Sequence, residues 1–372
     1  MLVVKAATTA PQAQSTSPEP RADLWRPKFT ANLTDTGDVA RFFSVGSIGV
    51  LSALTLGCSG AGLLPATRTI RGFGLQPPVA RNAPAAPAQL KIKAVERGVE
   101  VLRDVPLEDY VEATILSEFD PAVEDVTLVE KMLEVQAVIS RTYALSHRGR
   151  HTREGFDLCS TTHCQLYEPA RLRTSKWAAA AAQAVKQTAG MILWYDAGPI
   201  DAVFHADCGG HTSAASDVWG GPNPPYLRGE SDDGPAKGSH VTWQYETTAS
   251  ELQRVLNSDP RTRVGKHLRS IAIANRDVAG RAQRVTLVGD TASTVRGEDF
   301  REVLTRAFGP RSIRSTWFSV SRRRREFVFT GRGYGHGVGL CQTGALARLR
   351  AGQSLTSVLA HYFPGTSVVK IE

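Results

Sequence analysis

Several features that would assign a 372-residue chain to a class at sight are missing here. No internal repeat is present, which sets aside solenoid and propeller architectures. The uncharged stretch from Phe42 to Leu56, FFSVGSIGVLSALTL, is short for a bilayer crossing. No zinc knuckle, basic helix repeat or aromatic nucleic-acid platform accompanies the net charge of +8 and the pI near 9.4. Nucleic acid is therefore the weaker partner, and a membrane surface or an acidic envelope polymer the better one. With 42% apolar and 22% charged residues the chain is neither disordered overall nor fibrous.

What is present first is an export layout. Residues 1–38 are rich in Thr, Ala, Pro, Ser and Asp, and their composition predicts disorder. Arg41, the Phe42–Leu56 run and Gly57-Cys58-Ser59-Gly60 read as a signal segment ending in a lipoprotein-like cleavage site, with Cys58 as a lipid anchor. A buried core helix is the competing reading of that run. An export signal seldom lies so far in, so a start near Val39 is expected. Prolines 65, 77, 78, 84 and 87 mark a linker. The expected division is 1–58 N-terminus and signal, 59–89 linker and 90–372 folded domain, in a protein exported to the bacterial envelope.

Within the folded part, Leu90–Val95 and Val99–Arg103 alternate like a hairpin. Pro106 followed by Glu108 and Asp109 starts a helix. Leu107, Tyr110, Val111, Thr114 and Ile115 form one face of it, and the next position on that stripe is Glu118. A carboxylate at the end of an apolar stripe is costly unless it is paired or performs chemistry. A second helix, 126–147, carries Gln136 and Arg141; the arginine reads either as a clamp for a carboxylate or sugar, or as a surface residue. Helix and strand periods alternate onward to the end, so the fold class is α+β: helices and antiparallel sheets in one large catalytic domain with a substrate groove. The four arginines 322–325 read as a solvated hairpin tip.

Three further clusters carry candidate chemistry. Cys159, His163 and Cys164 can supply three zinc ligands, with a fourth from His147, His151 or elsewhere; a Cys159–Cys164 disulfide competes, and Cys164 as a nucleophile beside His163 is the weakest option. His205 and His211 lie in a glycine-rich loop, as binding residues or as hydrogen-bonded core histidines. Near the end stands the segment 331–345, with five glycines at alternating positions from Gly331 to Gly339 and with Tyr334 and His336 between them. Glycine at every second position lets a ligand or another backbone approach closely, or simply makes a bulged turn.

Taken in order, PLEDYVEATILSEF, EVQAVISRTYAL, CSTTHCQLY, FHADCGGHT, DVWG and GRGYGHGVGLCQTGALARLRAG with LAHYFPGT resemble the stage II sporulation protein D family, also called the sporulation/LytB domain. The resemblance implies a protein acting on bacterial peptidoglycan, either as a lytic transglycosylase on its glycan strands or as an enhancer of a cell-wall amidase. It places Glu118 on the catalytic glutamate, and Arg141 and His336 among site-lining residues. Gln136, His205, His211 and Tyr334 complete the expected substrate contacts. Cys159, His163 and Cys164 match a cluster that binds zinc in some members, so a structural Zn²⁺ is implied but no cofactor for catalysis. Two departures stand out: Cys208 and Cys341 occupy places where the family usually has serine. They are unpaired, or pair with each other if their loops meet. The glycine segment is expected to form a groove wall facing Glu118, so that His336→Ala would weaken cleavage without unfolding the protein.

Overall fold

The first strand is β1 (Gln89–Glu96), paired antiparallel along its whole length with β2 (Val99–Pro106). Gly98, at φ 81°, takes the left-handed corner of the hairpin that a side chain would resist. The computed structural model describes residues 87, 89–96, 98–119, 125–232 and 240–371. The expected signal run, Cys58 and nearly all of the expected linker lie outside them.

Pro106 leads directly into α1 (Leu107–Glu118), with Glu108 and Asp109 in the first turn, where the helix dipole favours acids. Its buried face holds Leu107, Tyr110, Val111, Thr114 and Ile115, as the sequence spacing requires. Phe119 turns extended and closes the helix through its N–H to the Ile115 carbonyl. The long α2 (Val126–Ser146) is capped by the Asp125 carboxylate, which accepts from Leu128 N–H at 3.1 Å. α2 is buried along most of its length and is the axis of the first core. Around it pack β3 (Leu158–Cys159), α3 (Arg171–Thr174), α4 (Ala178–Gln187), β4 (Met191–Tyr195), β5 (Gly198–Pro199), β6 (Phe204–His205) and α5 (Ala215–Trp219). Each fully buried Leu, Ile or Val there contributes roughly 1.5–3 kcal/mol relative to exposure.

The chain then builds a second core from β7 (Thr242–Thr248), α6 (Ala249–Leu256), β8 (Ser270–Arg276), β9 (Ala282–Val288), β10 (Ala292–Arg296), α7 (Gly297–Phe308), β11 (Phe318–Arg323) and β12 (Glu326–Arg332). Two three-stranded antiparallel sheets, β10-β9-β8 and β11-β12-β7, cover Phe300, Phe318, Phe327 and Phe329. The four-arginine run is the exposed β11–β12 tip, turning at Arg324 with φ 55°. After the glycine segment the chain returns to the first core through β13 (Leu340–Cys341), α8 (Gln342–Arg350), α9 (Leu355–Tyr362) and β14 (Ser367–Lys370). β13 pairs parallel with β6 and β14 antiparallel with β4, so both sequence-distant ends of this core are stitched together. The α+β class is as expected, with two large hydrophobic cores and a small cluster of Ile192, Val369 and Ile371 among the described residues. Among the described residues no helix is long and apolar enough to cross a membrane.

Candidate active site

Glu118 is the last residue of α1, and its side chain remains partly exposed. The loop after β3 wraps the helix end. Leu166 N–H donates to Glu118 Oε1 at 2.6 Å, and Glu168 N–H donates to Ser117 Oγ at 2.9 Å. Tyr110, two turns back on the same helix, donates its hydroxyl to Gln165 Oε1 at 3.1 Å and stacks on Tyr167. Burial pushes the Glu118 carboxyl up to about 7; the Leu166 N–H works against that shift and the negative charge of Glu168 adds to it. A carboxyl with this pKa can both give and take a proton near neutrality.

The same loop carries a second cluster. The ligand atoms of His151, Cys159, His163 and Cys164 all lie within 4.8 Å of one another. Cys164 Sγ is 3.4 Å from His151 Nε2, and both sulfurs are 3.7 Å from His163 Nδ1. The other nitrogen of His151 meets Glu154 Oε1 at 2.6 Å, the carboxylate support that metal-ligating imidazoles commonly have. The hydrogen bond from Cys164 holds the Cys159 thiol well below its ordinary value, while Cys164 is raised by the same partner. Two sulfurs and two imidazoles in this arrangement fit a four-coordinate zinc ion. Both cysteines are free in this structure.

Other expected substrate contacts are placed differently. Arg141 is fully buried in α2. Its Nε and Nη2 form a bidentate pair with Glu108 at 2.8 and 2.6 Å, and its Nη1 donates to the Met191 carbonyl. That guanidinium ties α2 to α1 and β4; it is neither a sugar clamp nor a surface residue. Gln136 is also buried, and its Oε1 accepts from Gln342 Nε2 at 3.2 Å. His205 is buried with Nδ1 on the Val338 carbonyl, which corrects its placement as a substrate contact. His211 Nδ1 meets its neighbour's carbonyl, Thr212 O, at 2.6 Å.

The glycine segment is corrected most. Four of its glycines, at 333, 335, 337 and 339, have φ between 69° and 105°, which favours glycine. Their open sides are filled by the protein itself. A Cβ on Gly337 would lie 2.4 Å from the Arg281 guanidinium, and one on Gly339 2.1 Å from the Val203 carbonyl. Tyr334 pairs through its backbone with Asp207. His336 spends both ring nitrogens internally: Nε2 donates to Phe204 O at 2.9 Å, and Nδ1 accepts from Val338 N–H at 3.1 Å. Burial holds its pKa down to about 4, and His205 is likewise lowered by burial. Burial thus favours the neutral form of both imidazoles, and the protein's own groups occupy the gaps beside these glycines.

Beyond those gaps the segment does reach the acid. Gln342, the first residue of α8, donates Nε2 to the Glu118 carbonyl at 3.2 Å while also bonding Gln136. Sequence reasoning missed Gln342 and the Leu166 N–H as neighbours of Glu118; only the position of Gln342 three residues after the glycine run hinted at it. Two clefts border this region without Glu118 in their walls. One includes Arg103, Asp109, Glu112 and Tyr167, and the other Trp243, Trp317 and Arg332. Tyr167, in the wall of the first cleft, directly follows the residue whose N–H holds Glu118.

The stage II sporulation protein family profile matches residues 95–195, which span α1, α2 and the cysteine loop. A domain of unknown function matches residues 235–339, most of which build the second core. An uncharacterized protein of Brachyspira hyodysenteriae is 30% identical over 270 residues, covering 72% of this chain and 68% of that protein. The stage II sporulation protein D of Bacillus subtilis is 26% identical, covering 78% and 81% respectively. The amidase enhancer of Bacillus subtilis is 25% identical, covering 63% of this chain and 37% of its own length.

Proposed function

The chain belongs to the stage II sporulation protein D family, and we propose that it cleaves peptidoglycan glycan strands as a lytic transglycosylase with Glu118 as its single acid and base. The observation that carries this reading is the Glu118 carboxyl, partly open to solvent, pushed up to about 7 and fixed by the Leu166 N–H. In the protonated form it gives its proton to the glycosidic oxygen as the C1–O bond breaks. The resulting carboxylate then takes the proton of the muramyl C6 hydroxyl, whose oxygen bonds to C1 and closes a 1,6-anhydro ring. No external water enters, so the second carboxylate of hydrolytic glycosidases has no task.

Zinc held by His151, Cys159, His163 and Cys164 would be structural, since four protein ligands leave no open position for chemistry. Its part is to stiffen the loop that carries Leu166 and Glu168 to the helix end. Removing metal with a chelator should lower the melting temperature and the rate together; a lower rate at unchanged melting would instead assign the metal a chemical role. Export to the cell envelope, with anchoring at Cys58, accompanies the reading as a proposal.

A second reading is favoured by the similarity to an amidase enhancer: the same surface binds glycan and assists a cell-wall amidase. Mass spectrometry of glycan strands stripped of stem peptides, incubated with the protein alone, separates the two. New 1,6-anhydro ends support the transglycosylase. Unaltered strands, with faster peptide release only when an amidase is added, support the enhancer.

A further inference from the structure

Cys208 and Cys341 do meet. They arrive from loops 133 residues apart, brought together by the parallel pairing of β13 with β6, and Cys208 N–H donates to Cys341 Sγ at 3.2 Å. The ligand atoms of His205, Cys208 and Cys341 lie within 4.8 Å of one another, and all three residues are buried. His205 Nδ1 donates to the Val338 carbonyl at 3.1 Å, which leaves the lone pair on Nε2. That Nε2 is buried and has no hydrogen-bond partner among the described residues. An orphaned buried acceptor is costly and calls for an explanation. A backbone carbonyl on the far nitrogen is also the support that fixes a ligating imidazole.

We propose that His205 Nε2, Cys208 Sγ and Cys341 Sγ form a second, wholly buried site for a thiophilic d¹⁰ cation, separate from the cysteine loop beside Glu118. Soft sulfur ligands with one imidazole select Cu⁺ or Zn²⁺. Three protein donors leave zinc one ligand short of its usual four, so Cu⁺ is the better fit. Binding forms two metal–sulfur bonds and one metal–nitrogen bond and releases both thiol protons to solvent. The sulfurs are prepared for negative charge: Cys341 Sγ accepts from Cys208 and Gly344 N–H at the start of α8, and Cys208 Sγ accepts from Gly210 N–H. The Arg281 guanidinium, 2.8 Å from the Cys208 carbonyl, stands nearby as a counter-cation. Asp232, which receives the Cys208 thiol, is itself bound by Arg348 and Tyr362. A metal here would lock β6 to β13 directly behind Gln342, the residue that reaches the Glu118 carbonyl.

The test uses the full chain, reduced and refolded without oxygen in the presence of Cu⁺ or, separately, Zn²⁺. Metal content is then measured for the Cys159→Ser/Cys164→Ser variant with and without Cys341→Ser. One bound equivalent in the double variant, lost when Cys341→Ser is added, is the expected result, and X-ray absorption should show a shell of two sulfurs and one nitrogen. Should the double variant fail to refold, the wild type must bind one equivalent more than Cys341→Ser alone. No metal in the double variant, equal content in wild type and Cys341→Ser, or a Cys208–Cys341 disulfide in protein isolated without reductant would overturn the proposal.

Discussion

The end of α1 and the glycine segment are the two most conspicuous parts of the sequence, and the structure treats them in opposite ways. At the helix end an acid with a raised pKa remains partly exposed, bonded through a single backbone N–H to its carboxylate. In the glycine segment His336 has a lowered pKa, and both of its ring nitrogens are used by the protein's own backbone. The glycines there are spaces for Arg281, Val203 and His205 rather than for a ligand. A conspicuous motif can therefore encode close packing, while the proposed chemistry rests on one residue whose environment is wrong for its charge.

Breaking each side of this contrast should give different readouts. The largest effect belongs to Glu118→Gln, which should lower formation of anhydro products about 10²–10⁴-fold while the melting temperature holds or rises. Gly337→Ala should do the reverse. It forces a side chain into φ 85° and against the Arg281 guanidinium, so stability falls by about 1–3 kcal/mol from backbone strain before the clash is counted, measurable by denaturant unfolding. His336→Ala removes two internal hydrogen bonds; about 1–3 kcal/mol of stability should be lost, in place of the purely functional defect the sequence suggested. Smallest is Gln342→Ala, about 0.5–1.5 kcal/mol with a modest loss of rate, because its two bonds are 3.2 Å each.

The contrast also has a pH signature. The folded pKa of Glu118 lies above its ordinary 4.5, so the native state holds that proton more tightly. Its contribution to stability is present at low pH and is lost as pH rises from about 4.5 through 7. His336 runs the other way: its folded pKa of about 4 lies below the ordinary 6.5, so stability is lost as pH falls from 6.5 toward 4. Unfolding curves of Glu118→Gln and His336→Ala should each flatten one limb only. A wild-type profile whose two limbs respond alike to both substitutions would break the comparison.

Much of the helix end was legible in the sequence. Glu118 announced itself because the apolar stripe of α1 ran into a carboxylate, a local pattern. Three of the four residues that the structure gathers at the cysteine loop were legible within six residues, and His151 was among the candidates for the fourth. What was not legible depends on contacts between distant parts of the chain. Arg141 has its partner 33 residues away in Glu108, and nothing in the sequence of α2 distinguishes a buried ion pair from a sugar clamp. The glycines of 333–339 show how closely something approaches but not what approaches; Arg281, Val203 and Asp207 could not be named from spacing. The short strand Ser367–Lys370 has too few residues for a period to register, yet it pairs with Met191–Tyr195 and closes the first core.

The central claim is that one carboxyl in this protein is poised near neutrality by its surroundings. Carbon-13 NMR of the full chain carrying labelled glutamate side chains tests it directly. One carboxyl resonance should titrate near pH 7 and be missing from the spectrum of Glu118→Gln. If every glutamate titrates between pH 4 and 5, or if the resonance near 7 survives that substitution, the account of the helix end is contradicted.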